Sequence, residues 1–227
     1  MALRTRLKIC GVTNTADARL VTEWGADFCG ILVNVGFSER SLSLSDAREV
    51  AAASGVPVVI LVCDSSIQAV EEVVRGISPY AVQLLGCETP EFIGLLRSRA
   101  GCQIWKTLHQ PPPPGHATAE DYVNAGVDAF LIDRCDSSEG FLRLGGTGKL
   151  ADWDQAAAMV NRIPKPVFLA GGINAENVAS ALLKVRPYGI DLCSGVESSK
   201  GRKDPEKMRR LVNAFKTAAT SIEKGER

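Results

Sequence analysis

Eight short apolar runs rich in β-branched residues recur along this chain, each followed by a segment of helical periodicity. They read LKICGV (7–12), FCGILV (28–33), VPVVILVC (56–63) and AVQLLG (81–86), then CQIWKTLH (102–109), AFLID (129–133), PVFLAGG (166–172) and GIDLCSG (189–195). Unbroken apolar runs suit strands buried on both faces, which is the environment of a parallel sheet. The intervening patterns predict helices over 16–24, 44–53, 67–74, 90–97, 117–124, 154–161, 175–183 and 205–217. Pro90 and Pro205 fit first helical turns, capped by Thr89 and Asp204, while Ser45 or Asp46 is available to cap the second helix. Eight βα units with right-handed crossovers close naturally into a (β/α)8 barrel; an open doubly wound sheet is the rival. No gap is large enough for a second domain, so residues 1–227 are expected to form one, with a frayed polar tail after Ala218.

Charge and composition narrow the function. Lys plus Arg (26) equals Asp plus Glu (26), without the basic excess of a nucleic-acid binder. The longest apolar run is too short to cross a membrane, and the N-terminus lacks a signal-peptide core, so a cytoplasmic protein is expected. The seven cysteines show no zinc-type spacing, and their odd number argues against a complete disulfide framework. Buried, reduced thiols are expected.

In such barrels chemistry sits where strands end and βα loops begin. Three glycine clusters fall on late strand ends: Gly145 to Gly148, Gly171 with Gly172, and Ser194 with Gly195. Bare backbone N–H groups there could hold a phosphate, and the loops after strands seven and eight are the usual place for one. Cys10 ends the first strand; Lys8, two residues earlier, should point the same way and lower the thiol pKa. Asp133 ends the sixth strand, where a carboxylate is costly to desolvate unless it has a role or a partner. Arg40, on the loop after strand two, could clamp a carboxylate in bidentate fashion. His109 and His116 read as structural or solvated, and Trp153 as packing. The loop over 134–144 is long enough to cover the active face.

Taken together, KICGVT (8–13), VQLLG (82–86), LID (131–133), GGTGKLADW (145–153), LAGGINAENV (169–178) and IDLCSGVESSKGRKD (190–204) resemble the phosphoribosylanthranilate isomerase family of tryptophan biosynthesis. The resemblance spans nearly the whole chain. It implies a ribulose-phosphate-binding type of barrel and an Amadori rearrangement of N-(5-phosphoribosyl)anthranilate, with no metal or organic cofactor. It implies Cys10 as general base and Asp133 as general acid. Lys8, Arg40, Gly146, Gly148, Gly171, Gly172, Ser194 and Gly195 are expected to bind a phosphosugar, with Arg40 near the anthranilate carboxylate. No nucleic acid or membrane partner is implied, and either a monomer or a homodimer is compatible. The chain departs from the family pattern at Leu85, where histidine is usual, and at Glu39 and Ser41 on either side of Arg40. Those departures leave two other readings open: a related isomerase of another aminosugar phosphate, or a non-catalytic phosphosugar-binding relative.

Overall fold

The computed structural model describes residues 4–113, 115–136, 143–144 and 150–224. The barrel strands are β1 (Arg6–Ile9), β2 (Phe28–Val33), β3 (Val58–Val62), β4 (Ala81–Leu84), β5 (Gln103–Gln110), β6 (Ala129–Asp136), β7 (Val167–Leu169) and β8 (Gly189–Leu192). Each pairs in parallel with its sequence neighbour, and β1 closes the ring by pairing with both β2 and β8. This is the expected (β/α)8 barrel. The outer helices are α1 (Thr15–Glu23), α2 (Leu44–Ala52), α3 (Ile67–Ile77), α4 (Pro90–Arg97), α5 (Ala119–Asn124), α6 (Trp153–Arg162), α7 (Val178–Val185) and α8 (Pro205–Glu223). No helix among the described residues is long and apolar enough to cross a membrane.

Local chemistry sets the helix starts. Thr89 and Asp204 cap α4 and α8 as expected, but α2 is capped by Ser43, whose hydroxyl accepts from Asp46 N–H, not by Ser45 or Asp46. The predicted start of the seventh helix at 175 is too early. Asn174 and Asn177 cross-bond side chain to backbone there, and this local turn competes with the first helical turn, so α7 begins at Val178. Nor does the chain fray after Ala218: α8 continues to Glu223, with Ala218 and Ala219 packed on the core.

Alternation along the strands sorts side chains between two cores. Outward residues such as Ile9, Ile31, Ile60, Val82, Ile104, Phe130 and Ile190 lie under the helices. Inward residues fill the barrel in layers. Near the strand starts, Trp105 stacks on Phe168 with centroids 5.0 Å apart, and Phe28 meets both rings edge-on. This aromatic plug closes that end. At the strand ends the inward set changes to Cys10, Leu32, Leu61, Leu85 and Cys193. The barrel is therefore sealed at one end and chemically equipped at the other. None of the seven cysteines is in a disulfide; Cys10, Cys29 and Cys135 are buried, whereas Cys87 is exposed.

Candidate active site

The strand ends surround a pocket that is open to solvent. Cys10 lines it from the end of β1 and Asp133 from β6. Gly171, Gly172 and Ile173 line it from the loop after β7, and Ser194 and Gly195 from a 3-10 turn (Ser194–Val196) after β8. Both candidate acid–base residues thus share one pocket with the glycine-bearing loops. Gly171 and Gly172 have φ of +84° and +64°, conformations that glycine enters without a side-chain penalty. Asn177 fixes this loop by donating from Nδ2 to the Gly172 carbonyl at 3.0 Å. Gly146 and Gly148, with the rest of 145–149, lie outside the described residues, as does much of the loop over 134–144. What is described there differs from a plain loop: β6 runs to Asp136 and pairs antiparallel with Arg143–Leu144.

Asp133 lines the pocket, its Oδ1 accepting from Arg134 N–H at 2.7 Å. Burial raises its pKa from the ordinary carboxylate range to about 7, against the pull of that hydrogen bond. A carboxyl so placed holds a proton near neutrality. Cys10 corrects the sequence reading. Its thiol is pushed above the ordinary value, because burial outweighs the Lys8 cation. The thiol, not the thiolate, is the resting form.

Lys8 does not line the pocket. Its ammonium is fully buried and bonded to Asp191 Oδ1 at 2.9 Å, across the register pair that joins β1 to β8. The structure therefore places this cation inside the barrel wall, engaged by Asp191, and not among the groups that line the pocket. Arg40 does reach the pocket, but its guanidinium is held by Glu197, with Nε to Oε1 at 2.8 Å and Nη2 to Oε2 at 2.6 Å. The carboxylate it clamps in this structure belongs to the protein. Glu197 also accepts from Lys203 at 3.1 Å; burial opposes its ionisation, but these two cations hold its pKa below the usual value. Glu197 and Lys203 come from a short hairpin, Glu197–Ser199 with Arg202–Lys203, that follows the 3-10 turn.

His109 points inward from β5 beside the pocket, with Nε2 at 2.7 Å from the Leu85 carbonyl. Burial lowers its pKa to about 4. The native ring is then neutral while the unfolded ring titrates near 6.5, so its contribution to stability is complete above pH 6.5 and is lost as pH falls toward 4. His109→Gln is expected to flatten the pH dependence of thermal stability between those values, by up to about 3 kcal/mol. Melting curves from pH 4 to 8 check this; an unchanged slope would remove His109 from the acid limb of stability.

Sequence reading missed several residues of this pocket. Asp191 carries the signal that marked Asp133, a carboxylate within an apolar strand, but in the middle of the run and not at its end. Phe37 and Lys200 line the mouth, where Lys200 forms an ion pair with Glu39. Loop charges of that kind look solvated in a bare sequence. Among the described residues no group of three or more His, Cys, Asp or Glu side chains is arranged to hold a metal ion.

Comparison with known proteins points one way. Residues 7–214 match the profile of the N-(5'-phosphoribosyl)anthranilate (PRA) isomerase family. The N-(5'-phosphoribosyl)anthranilate isomerase of Methanopyrus kandleri is 38% identical, covering 93% of this chain and 99% of that protein. The phosphoribosyl anthranilate isomerase structure from Thermus thermophilus superposes with a TM-score of 0.79 at 30% identity, covering 94% of this chain and 99% of its own. Another solved phosphoribosyl anthranilate isomerase, in complex with reduced 1-(o-carboxyphenylamino)-1-deoxyribulose 5-phosphate, gives a TM-score of 0.74 at 27% identity, covering 94% and 99%. With its barrel and its strand-end pocket described, this chain belongs to the N-(5'-phosphoribosyl)anthranilate isomerase family.

Proposed function

We propose that the pocket converts N-(5'-phosphoribosyl)anthranilate into 1-(2-carboxyphenylamino)-1-deoxyribulose 5-phosphate, with Asp133 as general acid and Cys10 as general base. The observation that carries this reading is the meeting of Cys10, Asp133 and the backbone of Gly171, Gly172, Ser194 and Gly195 in one pocket. The family membership and the complexed relative support the choice of compound.

Asp133, protonated, gives its proton to the furanose ring oxygen; the C1–oxygen bond breaks and the nitrogen lone pair forms a Schiff base. Cys10, as thiolate, takes the proton from C2, and the electrons of that bond give an enolamine. Tautomerisation of the enolamine yields the ketone. The bare backbone after β7 and β8 holds the phosphate through N–H groups. Acid and base together share one proton in the competent state, and that proton must reside on the carboxyl. Acid–base groups so placed contribute about 10²- to 10⁴-fold each.

The test is turnover of N-(5'-phosphoribosyl)anthranilate by the purified protein, together with growth of a tryptophan auxotroph that lacks this isomerase. Turnover in the usual enzymatic range, with restored growth, supports the reading. Soluble protein that neither turns over the compound nor restores growth refutes it, and favours a different aminosugar phosphate or a binding role.

A further inference from the structure

Asp191 and Lys8 form a buried ion pair that the acid–base steps do not themselves use. The ammonium has no exposed surface, and the carboxylate faces the pocket. A Cβ placed on Gly30 would lie 3.0 Å from Cys10 Sγ and 3.1 Å from Lys8 Nζ, so thiol and ammonium crowd into one space that only a residue without a side chain leaves free. On the other side, Asp191 and Asp133 line the same pocket from β8 and β6.

We infer that Lys8 and Asp191 are positioning residues for the proton shared by the catalytic pair: the pair lies with its cation toward Cys10 and its anion toward Asp133, and so favours thiolate at one end and carboxylic acid at the other. This inference rests on the roles proposed for Cys10 and Asp133. Charge strength supports the orientation. Burial dominates at both groups, but the thiol feels the Lys8 cation more than the Asp191 anion, whereas the Asp133 carboxyl feels the Asp191 anion more than the Lys8 cation. Other groups face these two: Cys193 just after β8, Lys203 on the hairpin and Arg40 on the loop after β2 act around Cys10, and Arg134 N–H bonds to Asp133. Of the charged side chains that act on Asp133, Asp191 acts more strongly than Lys8 and raises the carboxyl pKa. A buried ion pair is a weak source of net stability, which leaves room for a role of this kind.

The experiment compares Lys8→Met/Asp191→Asn, which removes both charges together, with Asp191→Asn alone. Two readouts are taken: kcat, and the rate at which iodoacetamide alkylates Cys10 at pH 9, followed by mass spectrometry of the Cys10 peptide. The double variant is expected to lose at least about tenfold in kcat and to alkylate about tenfold more slowly, as a thiol pKa one unit higher requires. Asp191→Asn alone leaves the cation uncompensated. It is expected to alkylate faster than the parent yet still lose kcat, because its acid ionises more readily. A merely structural pair would not move alkylation in opposite directions in the two variants. Parental kcat in the folded double variant, or alkylation shifted the same way in both, overturns the inference. Should the double variant fail to fold, the Asp191→Asn result decides alone. Loss of kcat in Cys10→Ala and Asp133→Asn keeps the catalytic roles standing if the ion-pair variants behave like the parent; retained kcat in those two removes the roles themselves.

Discussion

Cys10→Ala and Asp133→Asn are each expected to lower kcat by about 10²- to 10⁴-fold while KM stays within a few-fold of the parent. Both side chains line the pocket, and neither belongs to the backbone cradle proposed to hold the phosphate. Removing either therefore removes transition-state stabilisation and leaves ground-state binding. The two groups act on one substrate with one shared proton, so the double variant should cost little more than the worse single variant. Steady-state kinetics on the three proteins checks this, and full additivity of the two losses would show that the groups do not work as a unit.

The same carboxyl carries a pH prediction. The one-proton state of the pair forms as pH rises through the Asp133 value of about 7, so kcat/KM should rise through that range. Because the thiol is pushed well above its ordinary value, no falling limb from Cys10 is expected between pH 7 and the alkaline limit of the free site. Stability runs the other way. A carboxyl whose native pKa is raised contributes stability below its unfolded value, and that contribution is lost as pH climbs through the native one. Asp133→Asn should accordingly melt higher than the parent at pH 8 and show little gain at pH 4. A variant with lower melting temperature at both values would mean that the carboxylate is held by favourable contacts and not strained.

What could be read in the sequence follows from which interactions are local. Strands buried on both faces announce themselves as apolar runs, so all eight barrel strands were legible, and β2 (Phe28–Val33) matched its predicted bounds. Cys10 and Asp133 were legible because strand ends in a barrel face its pocket. The partners of Lys8 and Arg40 were not, because Asp191 and Glu197 lie 183 and 157 residues away along the chain. A lone cation in sequence looks available for a ligand; the fold had already engaged both. The thiol pKa was misjudged for a related reason. Spacing showed that Lys8 and Cys10 share a face, but the desolvation that outweighs the cation comes from the whole closed barrel. The hairpin carrying Glu197 and Lys203 was missed because two- and three-residue strands with polar side chains leave no periodic signature.

Gly195→Ala is expected to raise KM for the phosphorylated substrate by about 10- to 100-fold, with kcat much less affected. A Cβ at this position would lie 2.0 Å from the Ile173 carbonyl oxygen and 3.1 Å from its carbonyl carbon. Both are backbone atoms, so no rotamer change can relieve the overlap, and the loops after β7 and β8 must separate. Those two loops form the glycine-bearing end of the pocket. A charge-assisted hydrogen bond from backbone N–H to a phosphate contributes about 1.5–3 kcal/mol, and misplacing one donor set by a fraction of an ångström forfeits that amount. The phosphate is bound equally before and during the chemistry, so its loss falls on KM. Ser194→Ala is the control: it keeps the backbone path and changes a side chain alone, and should leave KM within a few-fold of the parent. Inorganic phosphate as a competitive inhibitor reads the same site without the sugar, and its Ki should rise in parallel in Gly195→Ala. A parental KM and Ki in that variant would place the phosphate elsewhere on the barrel rim.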